Sequence, residues 1–156
     1  MTEHVIQPLN SLQLLSYIVK YCNANDIHLN ITKAQKLMYC CYGVVLAKFG
    51  FRLVHEQPEA WQYGPVFHTA LVCVQFFGLD EFKTGDTSEI DSLPEEIRSM
   101  LNKTIRHFGQ YTALKLSKWS HLPGSPWSKA SNSGALLHVP MDDADIREYF
   151  STKVLK

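Results

Sequence analysis

Residues 32–50, TKAQKLMYCCYGVVLAKFG, constrain what this chain can fold into more than any other stretch. Leu37, Met38, Cys41, Val44, Val45 and Ala47 recur at helical spacing and predict a helix to about Phe49, with Gly50 as its C-terminal stop. Thr32 followed by Gln35 reads as a capping box, the hydroxyl satisfying one orphan amide and Gln35 reaching back to another. No other predicted helix is as apolar. Such a helix runs through the middle of a core, so the rest of the chain must wrap around it.

The remaining pattern supplies the wrapping. Asn10 or Ser11 can cap a helix carrying Leu12, Leu15, Ile18, Val19 and Cys22 on one face, ended by the polar turn NANDIHLN. Arg52-Leu53-Val54 and residues 60–63 read as short extended pieces split by Gln57-Pro58. Pro65 suits the first turn of a third helix bearing Val66, Leu71, Val74 and Phe77 and stopping at Gly78. Residues 78–92 are polar and read as a loop. Ser92 with Glu95 offers a capping box for a fourth helix, marked by Ile97, Met100, Leu101, Ile105 and Phe108. Thr112 and Ser125 can cap two short helices, residues 136–139 suit a strand, and Asp142 with Asp145 starts a last helix ending at Tyr149-Phe150. At 156 residues without linkers or repeats, the expectation is a mainly α, compact single-domain helical bundle over residues 1–156. A small β element would accompany the central apolar helix.

Several function classes are disfavoured. Lys+Arg and Asp+Glu are both 15, so the formal charge is zero. A nucleic-acid binder usually shows a basic excess, so no nucleic acid is expected as the main partner, although a local patch survives that argument. The opening MTEHVIQPLN shows no cationic region followed by an apolar run, and no apolar stretch approaches ~18 residues, so neither a signal peptide nor a membrane span is expected. Cys22, Cys40, Cys41 and Cys73 lack C-x-x-C spacing, which points to a reducing cytoplasm. Cys40 and Cys41 would point about 100° apart on a helix, a poor start for a tetrahedral metal site. His55, His68, His107, His121 and His138 are scattered, and no G-x-S-x-G, P-loop or G-x-G-x-x-G occurs. The acids at Asp142, Asp143 and Asp145 suit a helix start. No catalytic residue, metal ligand or cofactor is assigned.

Two clusters remain. EAWQYGPVF (residues 59–67) sets Trp61, Tyr63 and Phe67 around Gly64-Pro65, and HLPGSPW (residues 121–127) repeats aromatic, Gly, Pro and Ser. One reading makes them braces, with Trp61, Tyr63 and Trp127 in the core and Pro126 starting a helix. The other makes them a contact surface, since Trp and Tyr dominate interface hot spots. Burial of each Trp favours the two clusters meeting in space.

With the central helix, these segments resemble the Panacea domain, a SocA-like, phage-associated family of bacteria and their phages. Gln35-Lys36-Leu37-Met38-Tyr39 matches the family's helix motif, with Ala34 where Leu is usual and Met38 for a second Leu. Residues 59–66 match Glu-Ala-Trp-x-Tyr-Gly-Pro-Val, residues 124–127 match Gly-Ser-Pro-Trp, and Ile146 to Phe150 fits an Ile-x-x-Tyr-Phe ending. The resemblance implies an antitoxin that neutralises a cognate protein toxin, encoded beside it, by direct contact. Alternatives on the same scaffold are a proteolytic adaptor or a phage host-interaction protein. A small hydrolase using His121 is a rival from another class. Many members carry an added DNA-binding domain, for which this chain is too short. The residues singled out as fold signature or partner contacts are Gln35, Lys36, Tyr39, Glu59, Trp61, Tyr63, Gly64, Pro65, His121, Ser125, Pro126 and Trp127.

Overall fold

The computed structural model describes residues 6–156; part of the reading that the chain opens without a leader falls on residues 1–5, outside the described residues. Helix α1 (Ser11–Ala24) is capped by Asn10, whose side chain accepts from Leu12 N. It buries Leu14, Leu15, Ile18, Val19 and Cys22. Helix α2 (Ile31–Phe49) then crosses the centre. Every residue from 33 to 46 is buried, including Lys33 and Lys36, so this helix has almost no solvent face. Gly50 ends it with φ +77°, a left-handed turn that spares the Cβ clash.

The expected Thr32–Gln35 capping box does not form. Asn30 caps α2 instead, its Oδ1 accepting from Lys33 N at 2.8 Å, and the helix starts at Ile31. Gln35 is thereby free to turn inward, toward Phe67.

Pro65 also departs from expectation. Strands β1 (Glu59–Trp61) and β2 (Gly64–Val66) pair antiparallel, with Ala60 opposite Pro65, and β3 (Val139–Pro140) joins the other side of β1. Proline is tolerated in β2 because that strand lies at the sheet edge. Helix α3 (His68–Phe77) starts only after the hairpin, and its N-terminal amide at Thr69 donates to the Glu56 carboxylate. The face it buries is Ala70 and Val74, whereas Phe77, expected inside, is 63% exposed.

Residues 78–92 are not a loop. A 3-10 turn (Leu79–Thr84) and helix α4 (Ser88–Asp91) both pack on α1, anchored by buried Phe82 and Ile90. Helix α5 (Glu95–Gly109) has no side-chain cap, because Ser92 Oγ donates back to Ser88 O; Glu95 and Glu96 in the first turn complement the helix dipole instead. Thr112 caps α6 (Ala113–Ser120) and Ser125 caps α7 (Pro126–Ser131). Strand β3 falls later than residues 136–139, leaving Leu136 and Leu137 exposed. Asp142 caps α8 (Asp143–Tyr149), which continues into a π turn (Phe150–Val154). Around α2 pack α1, α3, α5, α6, α8, strand β2 and the C-terminal turn, so the observed architecture is mainly helical with a three-stranded sheet.

Candidate functional site

The hairpin and the α6–α7 corner meet over the first half of α2, although some sixty residues separate them. The contact is made by side chains of two segments reading the backbone of a third. Trp127 Nε1 donates to Trp61 O at 2.7 Å. His121 Nε2 lies 2.8 Å from Gln62 O, a pairing that needs a hydrogen on Nε2. Ser117 Oγ donates to Tyr63 O at 2.9 Å, Lys36 Nζ to Pro65 O at 3.3 Å and Gln35 Nε2 to Phe67 O at 3.3 Å. Gln35 Oε1 also accepts from Phe67 N at 2.8 Å, so this one amide closes a two-bond bridge between α2 and the start of α3. A hairpin of three-residue strands cannot satisfy its outward carbonyls by itself, and burying them unpaired would be costly. The side chains from α2 and the α6–α7 corner meet that demand.

Local geometry explains why particular residues stand here. Gly64 has φ +116°, and a Cβ built on it would fall 2.4 Å from Lys36 Cε and 2.6 Å from Ser120 Oγ. Only glycine serves there. Ser125 Oγ donates to Ser120 O at 2.9 Å and accepts from Ser128 N at 3.1 Å, holding the corner while Pro126 takes the first helical position of α7. Tyr39 is 1% exposed and packs edge-on against Phe150, ring centroids 5.3 Å apart.

The two tryptophans differ. Trp127 is 6% exposed and lies against the His121 ring at 3.9 Å. Trp61 is only half-buried. Its indole donates to Glu59 Oε1 at 2.9 Å, and its ring stacks on His138 at 3.9 Å and leans on His68 at 5.4 Å. His138 holds φ +61°, a strained choice for a non-glycine residue, while its N–H donates to Ala60 O at 2.7 Å. Tyr63, expected in the core on the structural reading, is 65% exposed at the hairpin turn.

The electrostatics follow from burial. Lys36 has a single carbonyl acceptor, and burial pushes its ammonium down to about 8. Burial likewise raises the thiols: Cys22 to about 11, Cys40 and Cys41 well above the usual range. None of these three is a poised nucleophile. Ser120 Oγ is 3.3 Å from His121 Nδ1, but it is buried and donates to Ser117 O, so the pair presents no accessible hydroxyl. Among the described residues no group of three His, Cys, Asp or Glu side chains could hold a metal, and no helix is long and apolar enough to cross a membrane.

The sequence that builds this contact matches known proteins. The family described as "Antitoxin SocA-like, Panacea domain" matches residues 35–128, more than half of the chain, from the Gln35 bridge to the first turn of α7. The chain belongs to this family. It is also 25% identical over 136 residues to Antitoxin SocA of Caulobacter vibrioides (strain NA1000 / CB15N), covering 81% of this chain and 72% of that protein. No solved structure matches. The family match begins at Gln35, which bridges α2 to Phe67, and ends one residue past Trp127, which donates to Trp61 O.

The motif residues fall into three sets. Gln35, Lys36, Gly64, Pro65, His121, Ser125, Pro126 and Trp127 are drawn into the backbone-reading contact, Tyr39 packs in the core against Phe150, and the side chains of Glu59, Trp61 and Tyr63 border solvent. Sequence reasoning missed Ser117; its spacing to Ser120 and His121 on one helix face was the available signal. It also missed the outer face of α3, where Val72 is 47%, Phe76 82% and Phe77 63% exposed.

Proposed function

We propose that this protein is an antitoxin that neutralises a cognate toxin by direct protein–protein binding, and that it is not an enzyme. Family membership and the likeness to Antitoxin SocA support the reading. The observation that carries it to a surface is the outer face of α3. His68, Val72 and Phe76 recur every four residues, so they form one stripe that continues from Trp61 through its contact with His68. The ten residues of α3 include no Asp, Glu, Lys or Arg. Two phenylalanines left largely in water on a helix without Asp, Glu, Lys or Arg make the kind of apolar patch that marks a protein interface. The toxin would cover this stripe with an apolar surface of its own, while the buried motif contacts hold the frame that presents it.

Co-expression with the toxin encoded beside it tests the proposal. Wild type should restore growth and co-purify with the toxin. Phe76→Ser with Phe77→Ser should fold with an unchanged melting temperature and lose both. Rescue by the double variant at wild-type level would remove α3 from the interface, and no complex with wild type would remove direct binding.

A further inference from the structure

Net neutrality hides a sharp division of charge. Residues 80–96 hold seven carboxylates and one lysine, whereas residues 97–141 hold six Lys or Arg and no Asp or Glu at all. A groove of about 370 Å³ opens between the end of α5 and α6, both in the acid-free part, and the C-terminal turn. Its floor is apolar, with Phe108 and Leu116 buried and Trp119 and Tyr111 half-buried. Lys115 and Lys153 stand at its rim, exposed, with His107 beside them. Among the described residues the ion pairs are Arg52–Asp143, Lys83–Asp80 and Lys129–Asp145, and neither rim lysine pairs with a carboxylate of those residues.

We propose that this groove binds an acidic, apolar peptide segment of a partner protein. The floor would take one or two aliphatic or aromatic side chains, and Lys115 and Lys153 would meet flanking carboxylates. A concave, mostly apolar site with a few charged groups at its edge is the usual form for such recognition. The observations favour a peptide over a nucleic acid. A stacked base needs a free aromatic face. Here Lys115 Nζ already lies over the Tyr111 ring at 5.1 Å, and Trp119 is engaged by Phe108 at 5.2 Å and by Tyr39, Tyr149 and Phe150. The groove lies on different elements from the α3 stripe, so it stands whether or not α3 is the toxin surface.

The test uses the full chain, immobilised, and two pools of labelled hexapeptides. One pool alternates Asp or Glu with Leu, Ile or Phe; the other replaces each acid by its amide. The acidic pool should be retained about tenfold more than the amide pool at low salt, and the advantage should fall as salt screens it. Lys115→Glu with Lys153→Glu should abolish the preference. Lys33 Nζ donates to Gly109 O at the groove end of α5; Lys48→Glu, about 22 Å of helix from Lys33 at the far end of α2, makes the same kind of charge change and should leave the preference in place. The melting temperature of each variant separates lost binding from lost folding. Equal retention of the two pools, no retention of either, loss of the preference in Lys48→Glu, or tighter binding of an oligothymidylate would each overturn the proposal.

Discussion

Trp127 and Trp61 belong to matching motifs yet should tolerate truncation very differently. Trp127 is buried, hydrogen-bonded to Trp61 O and packed on His121, so Trp127→Ala should cost about 3–5 kcal/mol by chemical denaturation. Trp61 contributes its carbonyl, which survives substitution, and a half-exposed ring, so Trp61→Ala should cost roughly 1–2 kcal/mol. Equal costs would contradict this division. Lys36 makes a second prediction, in pH. Its ammonium titrates near 8 when folded against 10.5 for the free side chain, so between these values the unfolded chain binds the extra proton. Stability from this group is therefore lacking below pH 8 and gained as pH rises from about 8 toward 10.5, by roughly 1.4 kcal/mol per unit. From about pH 9 the buried thiols, whose folded values are raised, pull the other way. Urea titrations at pH 7.5 and 8.8 should show wild type gaining on Lys36→Met over that interval; parallel behaviour would mean the ammonium is not buried as described.

At the scale of elements, Gly43 sets how closely the C-terminal turn approaches α2. A Cβ there would fall 2.3–2.5 Å from the Phe150 ring, which is fully buried. Alanine is the better helix former by up to ~1 kcal/mol, but overpacking of a rigid aromatic costs about 1–3 kcal/mol and should win. Gly43→Ala should destabilise, and Phe150→Leu in the same chain should recover part of the loss by denaturant titration. An unchanged midpoint for Gly43→Ala would show that the turn docks loosely. Elements of this kind were legible where the signal was local. The apolar run of α2 and the caps at Asn10, Thr112, Ser125 and Asp142 each act within a few residues of chain. What escaped depends on distant partners. Pro65 reads as a helix start until β1 is there to pair with it, and Gln35 reads as a cap until Phe67 arrives from the hairpin. Phe77 looks like core because periodicity registers a stripe without telling which stripe another element covers.

Across the whole molecule, the polar side chains of two family motifs are spent on the backbone of the third, and the largest uncovered aromatic surface lies elsewhere, on α3. A frame held from within can vary its outer face without losing its fold. The site was half legible: the sequence reading drew the motif segments together but left Tyr63 open between core brace and contact surface, and nothing local marked Val72 and Phe76 as uncovered. The central claim is that the motifs hold the frame while α3 meets the toxin. Hydroxyl-radical footprinting of the protein alone and in complex with its toxin tests it most directly. Phe76 and Phe77 should be labelled in the free protein and protected in the complex, with Trp127 shielded in both states. Protection of Tyr63 and His121 with Phe76 and Phe77 still labelled would contradict the account.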